Sequence, residues 1–270
     1  MDLKPKAQNI EKNISIIIPV LNEAGNIKTL IAEIRTLSHG RHASNIMEVI
    51  FVDDGSTDGT VDSIRNAINQ KVAPTIRILE RKAKDGTVNA QLYGISAAEN
   101  DSIVIMDGDL QHPVSYVEKL IDEYFKGYDL VLASRYVPGG MAKRSSIHGI
   151  ISRGANYISK FMLPWVSDIQ DPISGFFIVN RKIVPYTFVV HGFNKLALYI
   201  LTCKKDIQVS EIPFIFEERK RGVSKVSSGG FGFMVKYVGE IRFYRHLREI
   251  ITGKKIPHPS TSEYTLLRQV

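Results

Sequence analysis

Short apolar runs and helix-spaced segments take turns along the first half of the chain. Residues 14–20 (ISIIIPV) are almost continuously apolar and rich in β-branched side chains, and the polar stretch LNEAGN closes them. A run this short predicts a strand covered on both faces rather than a buried helix. In the next segment Ile27, Leu30, Ile31 and Ile34 recur at three- and four-residue spacing, which places one apolar stripe on a helix. The alternation then repeats. Strands are predicted at 47–54 (MEVIFVDD), 75–81 (TIRILER), 102–109 (SIVIMDGD) and 129–136 (DLVLASRY), with helices at 60–70, within 85–99 and at 114–127. GSTDGT (55–60) has turn composition, and Thr57 or Asp58 can cap the helix after it. Alternation at this pace implies βαβ units, hence an α/β fold with a mainly parallel sheet flanked by helices.

The second half is less regular. GGMAKRSS (139–146) reads as a mobile loop, 150–163 as a helix, and DPISGFFIVNRKIV (171–184) as a turn running into a strand. A strand from residue 209 leads into a basic, Gly- and Ser-rich loop, RKRGVSKVSSGG, and a helix is predicted from 231 to 255. The tails 1–13 and 257–270 are polar and read as loose.

Parallel sheets bind ligands beyond the carboxyl ends of their strands. Three predicted strands end in acids: Glu23 follows the first, Asp53 and Asp54 end the second, and Asp107 and Asp109 end the fourth. All should meet on one sheet edge. Two acids one residue apart point the same way on extended backbone. Asp107 and Asp109 can therefore share Mg²⁺ or Mn²⁺, hard ions that take oxygen ligands and leave positions for substrate phosphates. Gln111 can add an amide oxygen, and Gly108 allows a tight turn beside a ligand. A solvated acidic turn is the competing reading of one such pair. In VDDGSTDGT the competing reading is turn chemistry alone, against a carboxylate that binds a ribose or a base edge.

The chain has 270 residues, 44% of them hydrophobic, enough for a sizeable core. Its formal net charge of +7 points to an anionic partner: nucleic acid, a lipid surface or a phosphorylated ligand. Nucleic acid is not expected, because carboxylates clustered at strand ends repel a phosphate backbone unless metal intervenes. One cysteine, Cys203, excludes an internal disulfide and a Cys-rich zinc site. No apolar leader and no stretch of about 20 apolar residues is visible, so the chain is expected not to span a membrane by itself.

SIIIPVLNEAGNI, FVDDGSTDGT, IVIMDGDLQHP, LASRY, ISRGAN, DPISGFF and EIPFIFEERKRGVSK occur in this order. Together they resemble the family-two inverting glycosyltransferases of GT-A fold, a nucleotide-sugar-binding, Rossmann-like architecture. Within that family the chain looks most like the dolichol-phosphate mannose synthases, over residues 14 to about 235. The resemblance implies a GT-A catalytic domain over 14–230. It implies that Pro19, Leu21, Glu23 and Asp53 or Asp54 line the nucleoside site, and that Asp107, Asp109 and Gln111 hold a divalent ion and the donor diphosphate. Arg219 and Lys225 would close over the donor phosphates, and Arg135 and Ser152 would face a lipid phosphate. The implied reaction moves a sugar, from GDP-mannose or UDP-glucose, to dolichyl or another polyprenyl phosphate.

Chemistry fits these roles. An Arg, a Lys and a divalent ion can stabilise a diphosphate leaving group as its charge develops. The acceptor phosphate is already an anionic nucleophile, so no strong base is needed. A hydroxyl acceptor would need one, and Asp171 is then the candidate. Two positions depart from the family pattern. Leu21 stands where a tyrosine is common, and His148 stands four residues before Ser152 where an arginine is usual, with Arg144 and Arg153 nearby. Finally, Met234, Tyr237, Val238, Ile241 and Tyr244 form a stripe among Lys236, Arg242, Arg245 and Arg248 over 231–256. This reads either as an amphipathic helix in a lipid interface or as a helix packed on the domain. A membrane-surface enzyme on the cytoplasmic face, with or without a membrane-anchoring partner subunit, is the expectation.

Overall fold

A computed structural model of the chain describes residues 13–68, 74–82, 86–142, 146–186, 195–217 and 230–254. Its strands are β1 (Ile14–Val20), β2 (Ile46–Asp53), β3 (Thr75–Glu80), β4 (Ser102–Ile105), β5 (Leu130–Ser134), β6 (Met141–Ala142), β7 (Phe177–Asn180), β8 (Val209–Pro213) and β9 (Ile215–Phe216). Its helices are α1 (Ala24–Thr36), α2 (Thr60–Ile68), α3 (Thr87–Ala97), α4 (Tyr116–Tyr124), α5 (Ser146–Met162), α6 (Leu196–Cys203) and α7 (Gly230–Thr252).

Seven strands form one sheet in the order β3-β2-β1-β4-β7-β5-β8, while β6 and β9 pair separately. The expected parallel core is present: β3, β2, β1 and β4 all run the same way. The apolar runs of β1, β4 and most of β2 are buried on both faces, while the edge strand β3 is partly covered. Ile17, Ile50 and Val52 face one core layer, and Ile16, Ile18 and Phe51 face the other. Gly94 of α3 permits close approach to that sheet, since a Cβ there would sit 2.5 Å from Ile17 Cγ2.

Two features position the site. Strand order reverses between β1 and β4, which opens a crevice at the carboxyl edge. And β7 lies antiparallel between β4 and β5. An antiparallel strand starts where its neighbours end, so the turn ahead of β7 lies on the same edge as the ends of β4 and β5. β8 is parallel to β5, with Pro213 beside Ser134, so its end reaches this edge too.

The apolar stripe of α7 is core, so of its two readings the helix packed on the domain holds and the lipid face does not. Tyr237, Ile241, Tyr244 and Leu247 are buried in the layer that also holds α6, and Val238 is buried beside them in the helix. Tyr237 and Ser159 of α5 share a hydrogen bond of 2.5 Å. Arg245 is buried as well and donates to the Met162 carbonyl at 3.2 Å. The side chain of Met234 lies outside the described residues. Helix α6 had no counterpart in the sequence reading. Its residues LALYILT are all buried, so they carry no amphipathic period to read.

The opposite edge of the sheet carries a structural charge. Glu48 is buried and accepts from Ser15 Oγ (2.7 Å), the Glu99 amide (2.8 Å) and Arg77 Nη1 (2.5 Å). Burial alone would raise its pKa, but these donors outweigh it and hold the carboxyl below its ordinary value. A depressed carboxylate stabilises the fold above its unfolded pKa and loses that contribution as pH falls through the folded one. Glu48→Ala should therefore cost on the order of 3 kcal/mol at neutral pH. Melting curves of wild type and Glu48→Gln should converge on acidification below about pH 4. A constant gap in Tm between pH 7 and pH 3 would contradict this role.

Candidate active site

The β1–α1 and β2–α2 turns are stitched to each other. Asn22 N–H donates to Ser56 Oγ, and Thr57 N–H returns to Asn22 Oδ1 at 2.9 Å. Glu23 N–H donates to Thr60 Oγ1, and Ala24 N–H to Asp58 Oδ2. Asn22 holds a φ of 56°, a left-handed conformation that asparagine tolerates. The two acids at the end of β2 divide their work. Asp53 Oδ2 accepts from the Gly55 and Ser56 amides at 3.0 and 2.9 Å and shapes the turn. Its Oδ1 is buried without a hydrogen-bond partner among the described residues, a polar atom that a bound nucleoside can satisfy. Asp54 instead pairs with Arg81 Nη1 at 2.9 Å, tying the ends of β2 and β3 together. Pro19 and Leu21 are half-buried at the end of β1, and Glu23 Oε2 accepts from Asn26.

The Asp107–Gln111 turn lies beside this. Gly108 is needed for close approach, because a Cβ there would fall 2.8 Å from Val20 Cγ1. Leu110 has a φ of 65°, an outlying conformation for a bulky side chain that costs about 1–3 kcal/mol. Asp109 is buried, and its Oδ1 accepts from the Gln111 amide at 3.1 Å. Asp107 is more open, with 39% of its side chain exposed. Gln111 donates its side-chain N–H to the Glu217 carbonyl and accepts the Glu217 amide on its own carbonyl. That use of Nε2 leaves the oxygen of the same amide as its second functional end. The motif thus offers hard oxygen donors that fit Mg²⁺ or Mn²⁺. Among the described residues no cluster of three or more His, Cys, Asp or Glu is present.

Sequence reasoning missed His112, though it follows Gln111 directly. The imidazole is 2% exposed, stacks on Phe176 at 5.0 Å and meets Phe214 and Phe216 edge-on. Its Nδ1 accepts the Asp107 amide at 2.9 Å, which places the ring proton on Nε2, 3.8 Å from Asp107 Oδ2. Burial lowers its pKa against the opposing pull of Asp107 and Asp109, so the ring is neutral. His112 thus joins the acidic turn to the strands that flank it.

The third group stands on β5, α5 and the turn before β7. Asp171 is fully buried. Its Oδ2 accepts from Arg135 N–H (3.1 Å) and Nε (2.7 Å), and its Oδ1 from Nη2 (2.7 Å). Arg135 Nη1 donates to Ser152 Oγ at 3.1 Å, and Tyr136 Oη lies 3.2 Å from the same hydroxyl. The guanidinium also packs over the Tyr136 and Phe216 rings, at 5.2 and 5.7 Å. Burial opposes its charge, but Asp171 more than compensates and raises its pKa. Hydrogen bonds to described residues use three of the five N–H donors of its guanidinium, leaving capacity for an anion. Lys195, at the start of α6, adds a further cation that sequence reasoning did not name. Burial and Arg135 lower its pKa, against Asp107, Asp171 and Glu240.

The structure therefore brings Pro19, Leu21, Glu23, Asp53, Asp54, Asp107, Asp109, Gln111, Arg135 and Ser152 to one edge. Arg153 sits on the outer face of α5, exposed. His148 lies one turn before Ser152, but its side chain is outside the described residues, as are Arg144, Arg219 and Lys225.

A mostly parallel, doubly wound sheet with acids at its switch point is the architecture of a GT-A glycosyltransferase. The family model described as Glycosyl transferase family 2 matches residues 15–187, and the chain belongs to that family. It is 33% identical to the dolichol-phosphate mannosyltransferase of Saccharomyces cerevisiae, over 79% of this chain and 80% of that protein. It is also 33% identical to the dolichol-phosphate mannosyltransferase of Pyrococcus furiosus, over 79% of this chain but 59% of the longer relative. Among solved structures, glucosyl-3-phosphoglycerate synthase from Mycobacterium tuberculosis, in complex with Mn²⁺, UDP-glucose and phosphoglyceric acid, superposes with a TM-score of 0.61. The identity is 18%, over 85% of this chain and 80% of that one, so the likeness is one of fold. No helix among the described residues is long and apolar enough to cross a membrane.

Proposed function

We propose that this chain transfers a hexose from a nucleotide-sugar to dolichyl or another polyprenyl phosphate, with mannose from GDP-mannose as the principal donor and with inversion. The observation that carries the acceptor assignment is the Arg135–Asp171 pair. Both oxygens of Asp171 are taken and the carboxylate is fully buried, so it is unsuited to remove a proton from a hydroxyl. What it does is fix the Arg135 fork, whose remaining donors suit a phosphate. An acceptor phosphate held there needs no base. Its oxygen attacks the anomeric carbon, the bond to the donor diphosphate breaks, and the nucleoside diphosphate departs with the electron pair. A single in-line displacement inverts the anomeric centre. The names of the two mannosyltransferase relatives support the sugar and the lipid class.

On the donor side, Asp53 and Glu23 would face the nucleoside, and Asp107, Asp109 and Gln111 would hold Mg²⁺ or Mn²⁺. A divalent ion bound there supplies positive charge to the leaving diphosphate. Arg219 and Lys225 would add fixed cations from the segment that follows Glu217, itself hydrogen-bonded to Gln111. UDP-glucose remains the second reading of the donor, favoured by Leu21, which offers no ring for a purine to stack on. The enzyme would work at a membrane surface on the cytoplasmic face. Since the α7 stripe is buried, a partner subunit or another face of the domain would make that contact.

The test is an incubation of the full chain with dolichyl phosphate and a panel of sugar nucleotides, with Mg²⁺, Mn²⁺ or EDTA. Metal-dependent transfer from GDP-mannose is expected. Transfer from none of the donors would overturn the proposal.

A further inference from the structure

Next to the Arg135 fork, α5 carries an aromatic face that the other described residues do not cover. Tyr157 is 70% exposed and Phe161 46% exposed. Their rings stack nearly parallel, with centroids 6.2 Å apart and an interplanar angle of 7°. Arg153, Tyr157 and Phe161 are spaced by four residues, so they follow one line down the helix. Together with Tyr136, Asn156 and Lys160 they line a groove of about 510 Å³, within the size range of ligand sites. Most exposed apolar side chains on this protein are scattered singly and need no explanation. A stacked aromatic pair in a groove is different.

The groove is continuous with the anion site through one residue. Tyr136 places its hydroxyl on Ser152 Oγ, sets one ring face against Arg135, and contributes its ring to the groove wall. The polar end of this tyrosine thus belongs to the phosphate site and its apolar body to the groove. At the near end stand Arg135 and Ser152; at the far end, about 13 Å along the helix at 1.5 Å per residue, stands Phe161. Charge at one end and aromatic surface at the other is the layout of an amphiphile with an anionic head.

We propose that this groove binds the first isoprene units of the acceptor, with Tyr136, Tyr157 and Phe161 as the residues that give the enzyme its preference for a long prenyl chain. The inference rests on the phosphate-acceptor reading above and deepens it. The occupant is the acceptor's own tail rather than a bulk membrane lipid, because the groove opens from the site where the reacting phosphate is held. Tyrosine and phenylalanine bind such a chain with little loss of side-chain freedom, having few rotatable bonds. Asn156 is fixed by its Nδ2, which donates to the Gln170 carbonyl at 2.7 Å, while its Oδ1 is buried away from the groove surface without a partner among the described residues. Lys160 is likewise engaged, with Gln170 Oε1 at 3.0 Å.

The experiment uses the full chain and its double variant Tyr157→Ala/Phe161→Ala, both exposed positions whose truncation leaves the core intact. Transfer is measured to a series of prenyl phosphates of increasing chain length, presented in the same non-ionic detergent. Wild type should show KM falling about tenfold or more from a five-carbon to a twenty-carbon acceptor. In the variant that dependence should flatten, with kcat and the KM for nucleotide-sugar unchanged. Binding of both proteins to phosphatidylcholine vesicles free of prenyl phosphate is measured alongside. If wild type transfers but the variant keeps the same chain-length dependence, the groove assignment falls and the acceptor reading stands. The same holds if the variant's only defect is weaker binding to the plain vesicles, which would make this face a bilayer contact. If wild type transfers to no prenyl phosphate, the acceptor reading fails and the groove assignment fails with it.

Discussion

Replacing Asp109 by asparagine is expected to lower kcat by about 10²–10³-fold while leaving the melting temperature within a degree or two of wild type. The substitution separates two jobs that one carboxylate performs. Asp109 Oδ1 accepts the Gln111 amide and so helps to shape the turn in which Leu110 adopts its left-handed φ. An asparagine oxygen can accept the same bond, so the turn survives. What disappears is the negative charge that would hold a divalent ion against the donor diphosphate. Asp109→Ala removes both and should lose activity at least as far, with a measurable loss of stability, because the Gln111 amide is left to find another partner. The pair of variants is checked by initial rates across a Mn²⁺ titration together with thermal melts. Full activity in Asp109→Asn would remove the acidic turn from the chemistry.

The second large effect is expected at Asp171, and it is one of stability. Asp171 and Arg135 are 0% and 9% exposed at their side chains and share two short hydrogen bonds. Asp171→Ala leaves a buried guanidinium without its counter-charge, which should cost about 3–5 kcal/mol. That is a large part of the total for an ordinary domain. Removing both charges, in Asp171→Leu/Arg135→Met, should restore much of the stability, since a buried pair contributes little net energy once both members are gone. Activity should not return with it, because the fork proposed to hold the acceptor phosphate is gone. Urea melts of the two single variants and the double variant, set beside transfer rates, check this. A double variant that regains activity would show that Arg135 serves the fold alone. A single Asp171→Asn variant with normal transfer would show that the fork does not depend on its anchor.

Much of the fold was legible in the sequence because its parallel strands are covered on both faces. Runs such as SIIIPV and IVIM are continuous, so they stand out against the helix-spaced stripes between them. That in turn placed Glu23, Asp53 and Asp107 on one edge, since parallel neighbours end together. The direction of β7 was not legible, because a strand's run of apolar residues does not say which way it crosses the sheet. It was this antiparallel crossing that brought Asp171 against Arg135. Helix α6 was missed for the converse reason to the strands' visibility: buried all round, it has no polar face to mark a period. The α7 stripe was visible, but a stripe looks the same whether its partner is lipid or α5 and α6. His112 and Tyr136 carried no signal beyond adjacency to Gln111 and Arg135, since their roles come from contacts with residues far away in the chain.

The proposed reaction requires that the acceptor atom be a phosphate oxygen. The most direct measurement offers the full chain, with GDP-mannose and Mn²⁺, two acceptors of identical prenyl length: the monophosphate and the free alcohol. Formation of a sugar phosphodiester from the monophosphate, with no product from the alcohol between pH 6 and 9, is the predicted result. Glycoside formation on the alcohol would contradict it, because it would require a base that the Arg135–Asp171 pair does not provide.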